Sequence, residues 1–180
     1  KFRIYYRSYV KSIGWLGWGC DGETSGTVGG SMPVYAVQIM LVPRLSYQAH
    51  IADAGWQSVV NDYDAAGTTG QDRQLEAISI YMCDTSYGGI KYRTHVTELD
   101  WGKWMYNGDV SGTTWQSLRV EAFQIALSGS AKDLFDVRYS AHVEDVGWQS
   151  TVVNGATAGT TGQHLQAEAF KVHLVPKGLV

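Results

Sequence analysis

The sequence predicts an all-β protein built from four tandem repeats. Two observations support this prediction: a short turn motif and a tryptophan both recur along the chain. The motif GTTGQ starts at Gly67 and again at Gly159, and the near-copy GTTWQ starts at Gly112. A period of this length is typical of repeat architectures, in which a unit buries its apolar face only against its neighbours.

The repeats align without a gap when one tryptophan of each is placed in the same column. The Trp-to-Trp steps are 41, 45 and 47 residues, so the repeats are about 40 to 47 residues apart. Insertions fall only between units, which favours a single repeat domain over residues 1–180. The boundaries are unit 1, residues 4–41; unit 2, residues 45–82; unit 3, residues 90–127; and unit 4, residues 137–174. The shared tryptophans are Trp15, Trp56, Trp101 and Trp148.

Each unit has the pattern of β-structure. In unit 3, apolar residues alternate with polar ones from Ile90 to Val96, which predicts a half-buried opening strand. The Trp segment is predicted as a second strand. Alternation returns from Phe123 to Leu127 and predicts a half-buried closing strand. Turn pairs that favour positive φ occur at Asp21-Gly22, Asn107-Gly108 and Asn154-Gly155.

The arrangement of the units has two candidate forms. Four units without gaps favour a pseudo-symmetric closed assembly, since closure removes exposed sheet edges. A propeller-like ring of four units is the first expectation. The alternative is a β-trefoil-like or β-prism-like core of three units with unit 1 as an extra repeat.

Composition excludes several classes of function. A chain that is 44% hydrophobic and 17% charged is expected to fold. A net charge of −3 without a block of Lys or Arg argues against nucleic acid as a partner. No apolar run approaches the ~20 residues that span a bilayer, so membrane insertion is not expected. No cofactor or metal site is expected either, and Asp62 and Asp64 are interpreted as a solvated turn. Whether Cys20 and Cys83 form a disulfide is left open.

The most complete repeat, Tyr139 to Leu174, carries a resemblance to a known family. Its pattern YxxHVxxxGWQ, followed by NGATAGTTGQxLxxEAFKVHL, resembles the clostridial hydrophobic repeat with a Trp, the ChW repeat. The resemblance covers nearly the whole chain. It implies a secreted or cell-surface module of bacterial or phage origin with a binding or adhesion role.

Unit 1 departs from the other units at four polar positions together. It has Tyr9, Val28, Gly30 and Tyr35 where the other units carry His, Thr, Gln and Glu, while its Tyr, Trp, Gly and Ala framework is kept. Loss of one member of a buried polar network leaves the others unsatisfied at a cost of ~1–3 kcal/mol each. We therefore expect these side chains to form one hydrogen-bonded group in each intact unit. The residues are His50, Thr69, Gln71 and Glu76; His95, Thr114, Gln116 and Glu121; and His142, Thr161, Gln163 and Glu168.

The repeated polar group has two interpretations. It is either a structural tie between the opening and closing strands, or a binding pocket that combines carboxylate, amide and imidazole beside an aromatic ring, as sugars require. Strand alternation alone cannot join them, because Glu121 shares a face with Phe123 whereas His95 lies opposite Tyr92.

The seven tryptophans divide into two sets. The four that repeat are expected in the core, since a large ring fixed in every unit is a natural packing anchor. Trp115 stands in a turn and is expected to be exposed, either as a ligand-stacking residue or in packing between units.

No catalytic motif is found, so no enzyme activity is expected. The first functional hypothesis is a non-catalytic module that binds a glycan or cell-wall polymer through weak sites, one in each of the three intact units. The alternatives are a structural adhesion module that docks a surface protein, and the targeting part of a cell-wall hydrolase.

Overall fold

The computed structural model describes residues 1–179 and confirms the all-β class. Each unit begins and ends with a long strand, and these two strands pair antiparallel. Between them lie strands of two residues each. The strands of units 1 and 2 are β1 (Phe2–Val10), β2 (Gly14–Trp15), β3 (Gly19–Cys20), β4 (Val34–Pro43), β5 (Leu45–Ile51), β6 (Gly55–Trp56), β7 (Val60–Asn61), β8 (Ala66–Gly67) and β9 (Leu75–Met82). The elements that follow are β10 (Ile90–Val96), β11 (Asp100–Trp101), β12 (Met105–Tyr106), β13 (Ser111–Gly112), β14 (Val120–Leu127), α1 (Ala131–Leu134), β15 (Phe135–Val143), β16 (Gly147–Trp148), β17 (Val152–Val153), β18 (Ala158–Gly159) and β19 (Ala167–Pro176).

The opening strands β10 and β15 are half-buried, as their alternation predicts, whereas the closing strands β9, β14 and β19 are buried along most of their length, so the prediction of a half-buried closing strand is wrong. In β10, every second residue from Ile90 to Val96 is buried. In β14, Phe123, Ile125 and Leu127 are buried on the same side. The buried faces of these units form one continuous hydrophobic core.

Three of the two-residue strands pair with a unit other than their own. Strand β13 of unit 3 pairs with β9 of unit 2, β18 of unit 4 pairs with β14 of unit 3, and β8 of unit 2 pairs with β19 of unit 4. We call β8, β13 and β18 the exchange strands. Each of these three units therefore contributes one exchange strand to the sheet of another unit and has one exchange strand from another unit in its own sheet.

The first glycine of GTTGQ is required by this exchange. A Cβ atom at Gly67 would lie 2.3 Å from the backbone oxygen of Glu168 in unit 4. The equivalent distances are 2.2 Å from Gly112 to Glu76 and 2.3 Å from Gly159 to Glu121. Real Cβ contacts are longer, so only glycine allows the exchange strand to approach the other unit.

A tyrosine of each opening strand crosses the same boundary. The Tyr92 hydroxyl of unit 3 accepts a hydrogen bond from the Ile80 amide of unit 2 at 3.0 Å. The Tyr47 hydroxyl of unit 2 accepts one from the Val172 amide of unit 4 at 3.4 Å. These rings are fully buried, as is the equivalent Tyr139. The core therefore includes hydrogen bonds between units in addition to the strand pairs within them.

Unit 1 forms a smaller sheet of its own, in which β1 pairs with β2, β3 and β4. It is attached to unit 2 through Tyr63, whose ring lies 4.6 Å from the Arg3 guanidinium carbon. The Tyr63 hydroxyl is also 3.1 Å from the Tyr5 hydroxyl. Among the described residues, unit 1 has no exchange strand. Since neither a propeller nor a closed barrel is found in this part of the chain, the expected closed arrangement is not confirmed.

His173 lies on the other side of the same contact. Its ring stacks on Tyr63 with the ring centroids 3.9 Å apart. Burial, together with the positive charges of Arg138 and Arg3, lowers the pKa of His173 to about 4. The imidazole is therefore neutral at physiological pH in the folded protein.

Two other predictions from composition can be compared with the structure. Cys20 and Cys83 are free thiols, which answers the open question about a disulfide. Within residues 1–179, no helix has the length and apolar character needed to cross a membrane.

Asp62 caps the start of β5, because its Oδ1 accepts a hydrogen bond from the Leu45 amide at 2.8 Å.

Candidate binding site at the unit interfaces

A β-bulge in each closing strand brings the repeated His and Glu together. In unit 2, His50 is paired with Ala77 and Ile51 with Leu75, so Glu76 is an extra residue without a partner on the opposite strand. The extra residue breaks the alternation and turns the Glu76 side chain toward His50. Units 3 and 4 have the same bulge in their closing strands.

The resulting His–Glu pairs are close and largely buried. The distance from His Nδ1 to Glu Oε2 is 3.0 Å for His50 and Glu76. It is 3.4 Å for His95 and Glu121 and 2.9 Å for His142 and Glu168. These pairs join the opening strand of a unit to its closing strand, which is the structural role that one of the two interpretations assigned to them.

The turn segment that accompanies each pair belongs to a different unit. The Trp115 amide of unit 3 donates a hydrogen bond to Glu76 Oε2 of unit 2 at 3.1 Å. The prediction of one hydrogen-bonded group within each unit is therefore wrong. Among the described residues, the second Thr and the Gln of the turns make no hydrogen bond to a His–Glu pair, and most of them are exposed. These turn residues are Thr69, Gln71, Thr114, Gln116, Thr161 and Gln163.

The prediction that the repeated tryptophans lie in the core is also wrong. Trp15, Trp56 and Trp148 are 44, 37 and 39% exposed. In units 2, 3 and 4, the short strand of the Trp pairs with the His of the opening strand, so the ring packs edge-on against imidazole. The ring centroids are 5.3, 5.4 and 5.3 Å apart in units 2, 3 and 4. The core positions are filled by the buried tyrosines instead.

In unit 2, Trp115 covers the His–Glu pair. Its ring centroid lies 4.8 Å from that of His50, at an interplanar angle of 90°. The ring is 68% exposed, as predicted for a turn residue, yet its inner edge packs against Gly55. His50 and Glu76 are consequently inaccessible to a ligand.

In unit 3, the pair is satisfied by neighbouring side chains. Arg119 forms an ion pair with Glu121 at 3.1 Å from Nη2 to Oε1. Asp100 Oδ1 lies 3.2 Å from Nε2 of His95. The arginine also reaches His164 of the unit 4 turn, with Nη2 3.4 Å from Nδ1. This pair is therefore engaged by protein groups on both sides.

In unit 4, the pair opens onto a cavity of about 470 Å³. Gly70 of the unit 2 turn takes the place of Trp115, and Gln166 takes the place of Arg119, so neither obstruction is present. The lining is strongly acidic and comes from two units. It consists of Gly70, Asp72, His142, Glu144, Asp145, Gly147 and Glu168.

Sequence reasoning missed three acidic residues of this cavity. Glu144 lies two residues after His142 and has no acidic counterpart in units 2 and 3, where Ala52 and Thr97 stand. Asp145 is matched by Asp53 and Glu98, so an acidic residue three positions after each His was the available signal. Asp72 could not be assigned, because it comes from another unit. No group of three or more His, Cys, Asp or Glu in residues 1–179 is arranged to hold a metal ion.

The fold and its sites define a tandem-repeat β-protein in which a pair of one unit meets the turn of another. The chain belongs to the ChW family, Clostridial hydrophobic W, whose model matches residues 9–43, 50–82, 95–129 and 142–176. No curated protein and no solved structure matches the chain.

Proposed function

We propose that the protein is a non-catalytic module that binds a carbohydrate or cell-wall polymer in the unit 4 cavity. The observation that carries this proposal is the open His142–Glu168 pair, since the equivalent pairs are covered in unit 2 and engaged in unit 3. An extracellular location is part of the same proposal and rests on the family resemblance.

The chemistry of the cavity suits a polyhydroxylated ligand. Carboxylates of Glu144, Asp145 and Asp72 accept hydrogen bonds from hydroxyl groups. Trp148, half-exposed beside His142, offers an aromatic surface for sugar C–H groups. Lys171 holds its Nζ 4.5 Å from the Trp148 ring centroid, so this aromatic surface lies beside a hydrogen-bond donor.

The geometry narrows the expectation of three equivalent sites to one principal site for each chain. A single small sugar site is weak, with a Kd near millimolar, or ~4 kcal/mol of binding free energy. Useful affinity for a polymer then requires several sites to act together. Residues of units 2 and 3 that were proposed to bind ligand are assigned to the fold instead.

A glycan array followed by calorimetric titration tests the proposal. Glu168→Gln and Asp72→Asn are expected to weaken binding at least tenfold, because each removes an acceptor from the same cavity. Glu98→Gln is the matched control, since Glu98 occupies in unit 3 the place of Asp145 and also has positive φ. Unchanged binding by a folded Asp72→Asn Glu168→Gln double variant would refute a site at this cavity.

A second candidate function is a structural adhesion module that docks a surface protein. The enclosed His50–Glu76 pair favours it, because that pair serves packing alone. Absence of any glycan ligand, together with binding to a protein partner, would support this second function. A role as the targeting part of a cell-wall hydrolase is compatible with either one.

We also infer that units 2, 3 and 4 close into a cyclic three-unit assembly with unit 1 outside it. The three exchange ladders support this arrangement, since they run from unit 3 to unit 2, from unit 2 to unit 4 and from unit 4 to unit 3. An experimental structure that placed any of these ladders elsewhere would contradict it.

A further inference from the structure

The closing strand of unit 1 has an outer edge without a partner among residues 1–179. Strand β4 pairs with β1 alone, whereas β9, β14 and β19 each also receive an exchange strand. Its side chains Val37, Ile39 and Leu41 are 59, 67 and 55% exposed. A contiguous apolar patch on a free sheet edge marks an interaction surface.

The equivalent positions of the other units show what covers such a face. The alignment of the units places Val37 and Ile39 with Ile78 and Ile80 of unit 2, which are fully buried. In unit 2 the edge is covered by β13, and the Ile80 amide is bonded by the buried Tyr92, both from unit 3. The natural occupant of this face is therefore the turn segment and opening strand of another unit.

Unit 1 also carries an unused turn segment of the same kind. Its Ser25 hydroxyl bonds the Ser8 hydroxyl at 3.0 Å, just as Ser111 and Thr94 are 3.1 Å apart in unit 3. The turn is therefore held in the position from which β13 reaches unit 2. In unit 1, however, it is not paired with another strand of the described chain.

Within residues 1–179, the glycine of this turn is not approached by the backbone of another unit. A Cβ atom at Gly26 would meet only a methyl group of Val34, at 3.9 Å. At Gly112, the same atom would lie 2.2 Å from the Glu76 oxygen of the neighbouring unit. Within residues 1–179, unit 1 thus has both an unpaired turn segment at Ser25–Gly26 and an unpaired edge on β4.

We propose that these two surfaces join copies of this chain through their first units. The Ser25–Gly26 segment of one copy pairs with Ala36 and Val37 on β4 of the next, in the register that Ala158–Gly159 adopts on Ala122–Phe123. Because the turn segment and the β4 edge of one unit bind different copies, the contact is head-to-tail, and the assembly stops growing only when a ring closes. The three exchange ladders within the chain predict three copies in that ring.

The association is expected to be weaker than the contacts inside the chain. Tyr35 replaces the bulged Glu, so the turn of the next copy lacks the carboxylate that bonds the Trp115 amide in unit 2. Apolar contacts of Ile4, Val37, Ile39 and Leu41 remain as its main source of free energy. A Kd in the ~micromolar range is expected.

Sedimentation velocity of the 180-residue chain over a concentration series tests the proposal. The expected result is a reversible shift from 19.8 kDa to three times that mass. Ile39→Lys should raise the Kd at least tenfold, because it places a charge in the apolar contact. Leu99→Lys, a charge at a comparably exposed residue of unit 3, should leave it unchanged.

A second pair of variants addresses the backbone contact. Gly26→Ala should abolish association, since its Cβ would collide with the partner strand. Gly29→Ala is the control, because it also has positive φ but lies in open space. A monomer at ~100 μM, or a trimer that persists in both Gly26→Ala and Ile39→Lys, would overturn the proposal. A closed dimer would overturn the predicted stoichiometry.

Discussion

Trp115 of unit 3 lies edge-on against His50 of unit 2, with the ring centroids 4.8 Å apart. The same turn position is glycine in the other two exchanged turns, at Gly70 and Gly162. The ring of Trp115 therefore covers the unit 2 pair, and Gly70 leaves the unit 4 pair uncovered. This relationship leads directly to a way of closing the proposed site.

Gly70→Trp is expected to block the unit 4 cavity and to abolish glycan binding. Gly70 has φ of +64°, close to the +59° of Trp115, and a Cβ atom there meets nothing within 4 Å. The backbone can therefore accept the ring. Titration with the ligand found on the array measures the loss. Gly162→Trp covers the unit 3 pair in the same way and should leave binding intact, and equal loss in both variants would contradict a site specific to unit 4.

The His95–Glu121 pair is expected to be energetically coupled. Changing each residue to Tyr copies unit 1, and the double variant should be less destabilised than the sum of the single changes, by about 0.5–3 kcal/mol. The physical reason is the 3.4 Å contact, which either single change removes, leaving Glu121 with Arg119 alone or His95 with Asp100 alone. Urea denaturation measures the cycle. His50→Tyr with Glu121→Tyr, taken from different pairs, is the additive control; additivity in both cycles would show that the contact carries no energy.

Tyr92→Phe is expected to destabilise the protein by about 1–2 kcal/mol. The change removes the hydroxyl that bonds the Ile80 amide across a unit boundary and leaves that buried amide unsatisfied. Tyr6→Phe in unit 1 is the matched control, because the Tyr6 hydroxyl accepts only from the partly solvated Gly22 amide of its own unit. The denaturant midpoint of Tyr92→Phe should therefore be lower than that of Tyr6→Phe. An equal or larger effect for Tyr6→Phe would contradict the importance of the boundary.

Acidification is expected to weaken the fold through His173. The pKa of His173 is about 4 in the folded protein, below the ordinary value of 6.5 expected when unfolded. Between these values the unfolded chain binds the proton and the folded chain does not, so stability is complete above pH 6.5 and falls as the pH approaches 4. The slope from this group is at most about 1.4 kcal/mol for each pH unit.

His173→Gln should reduce that acid sensitivity, as measured by urea denaturation between pH 7 and pH 4. The uncharged amide cannot take up the proton that drives the loss. His164→Gln, at an exposed turn position, is the control and should keep the slope of the unaltered protein. If both variants retain the full slope, the acid response arises from other groups.

Local features of the fold could be predicted from the sequence. The alternation in units such as Ile90–Leu127 fixed the two long strands, and the joint loss of His and Glu in unit 1 indicated that these residues act together. The bulge at Glu121 could not be predicted, because alternation assumes an unbroken strand and nothing local marks the extra residue.

The contacts between units could not be predicted from the sequence, for a different reason. Identical repeats present identical surfaces, so the sequence does not say whether the turn at Gly67 packs on its own unit or on unit 4. The wrong prediction that Trp148 lies in the core has the same cause. A residue repeated for contact with a surface imidazole shows the same spacing as one repeated for the core.

The exchange strands also constrain how the chain can be made. Strand β8 of unit 2 finds its partner only on β19, about a hundred residues later in the chain. During synthesis, β8 of unit 2 and the edge of β14 in unit 3 therefore acquire their partners only after unit 4 has been made. Loss of unit 2, 3 or 4 by recombination would leave one exchange strand and one strand edge without their partners, whereas loss of unit 1 would leave all three exchange pairings intact.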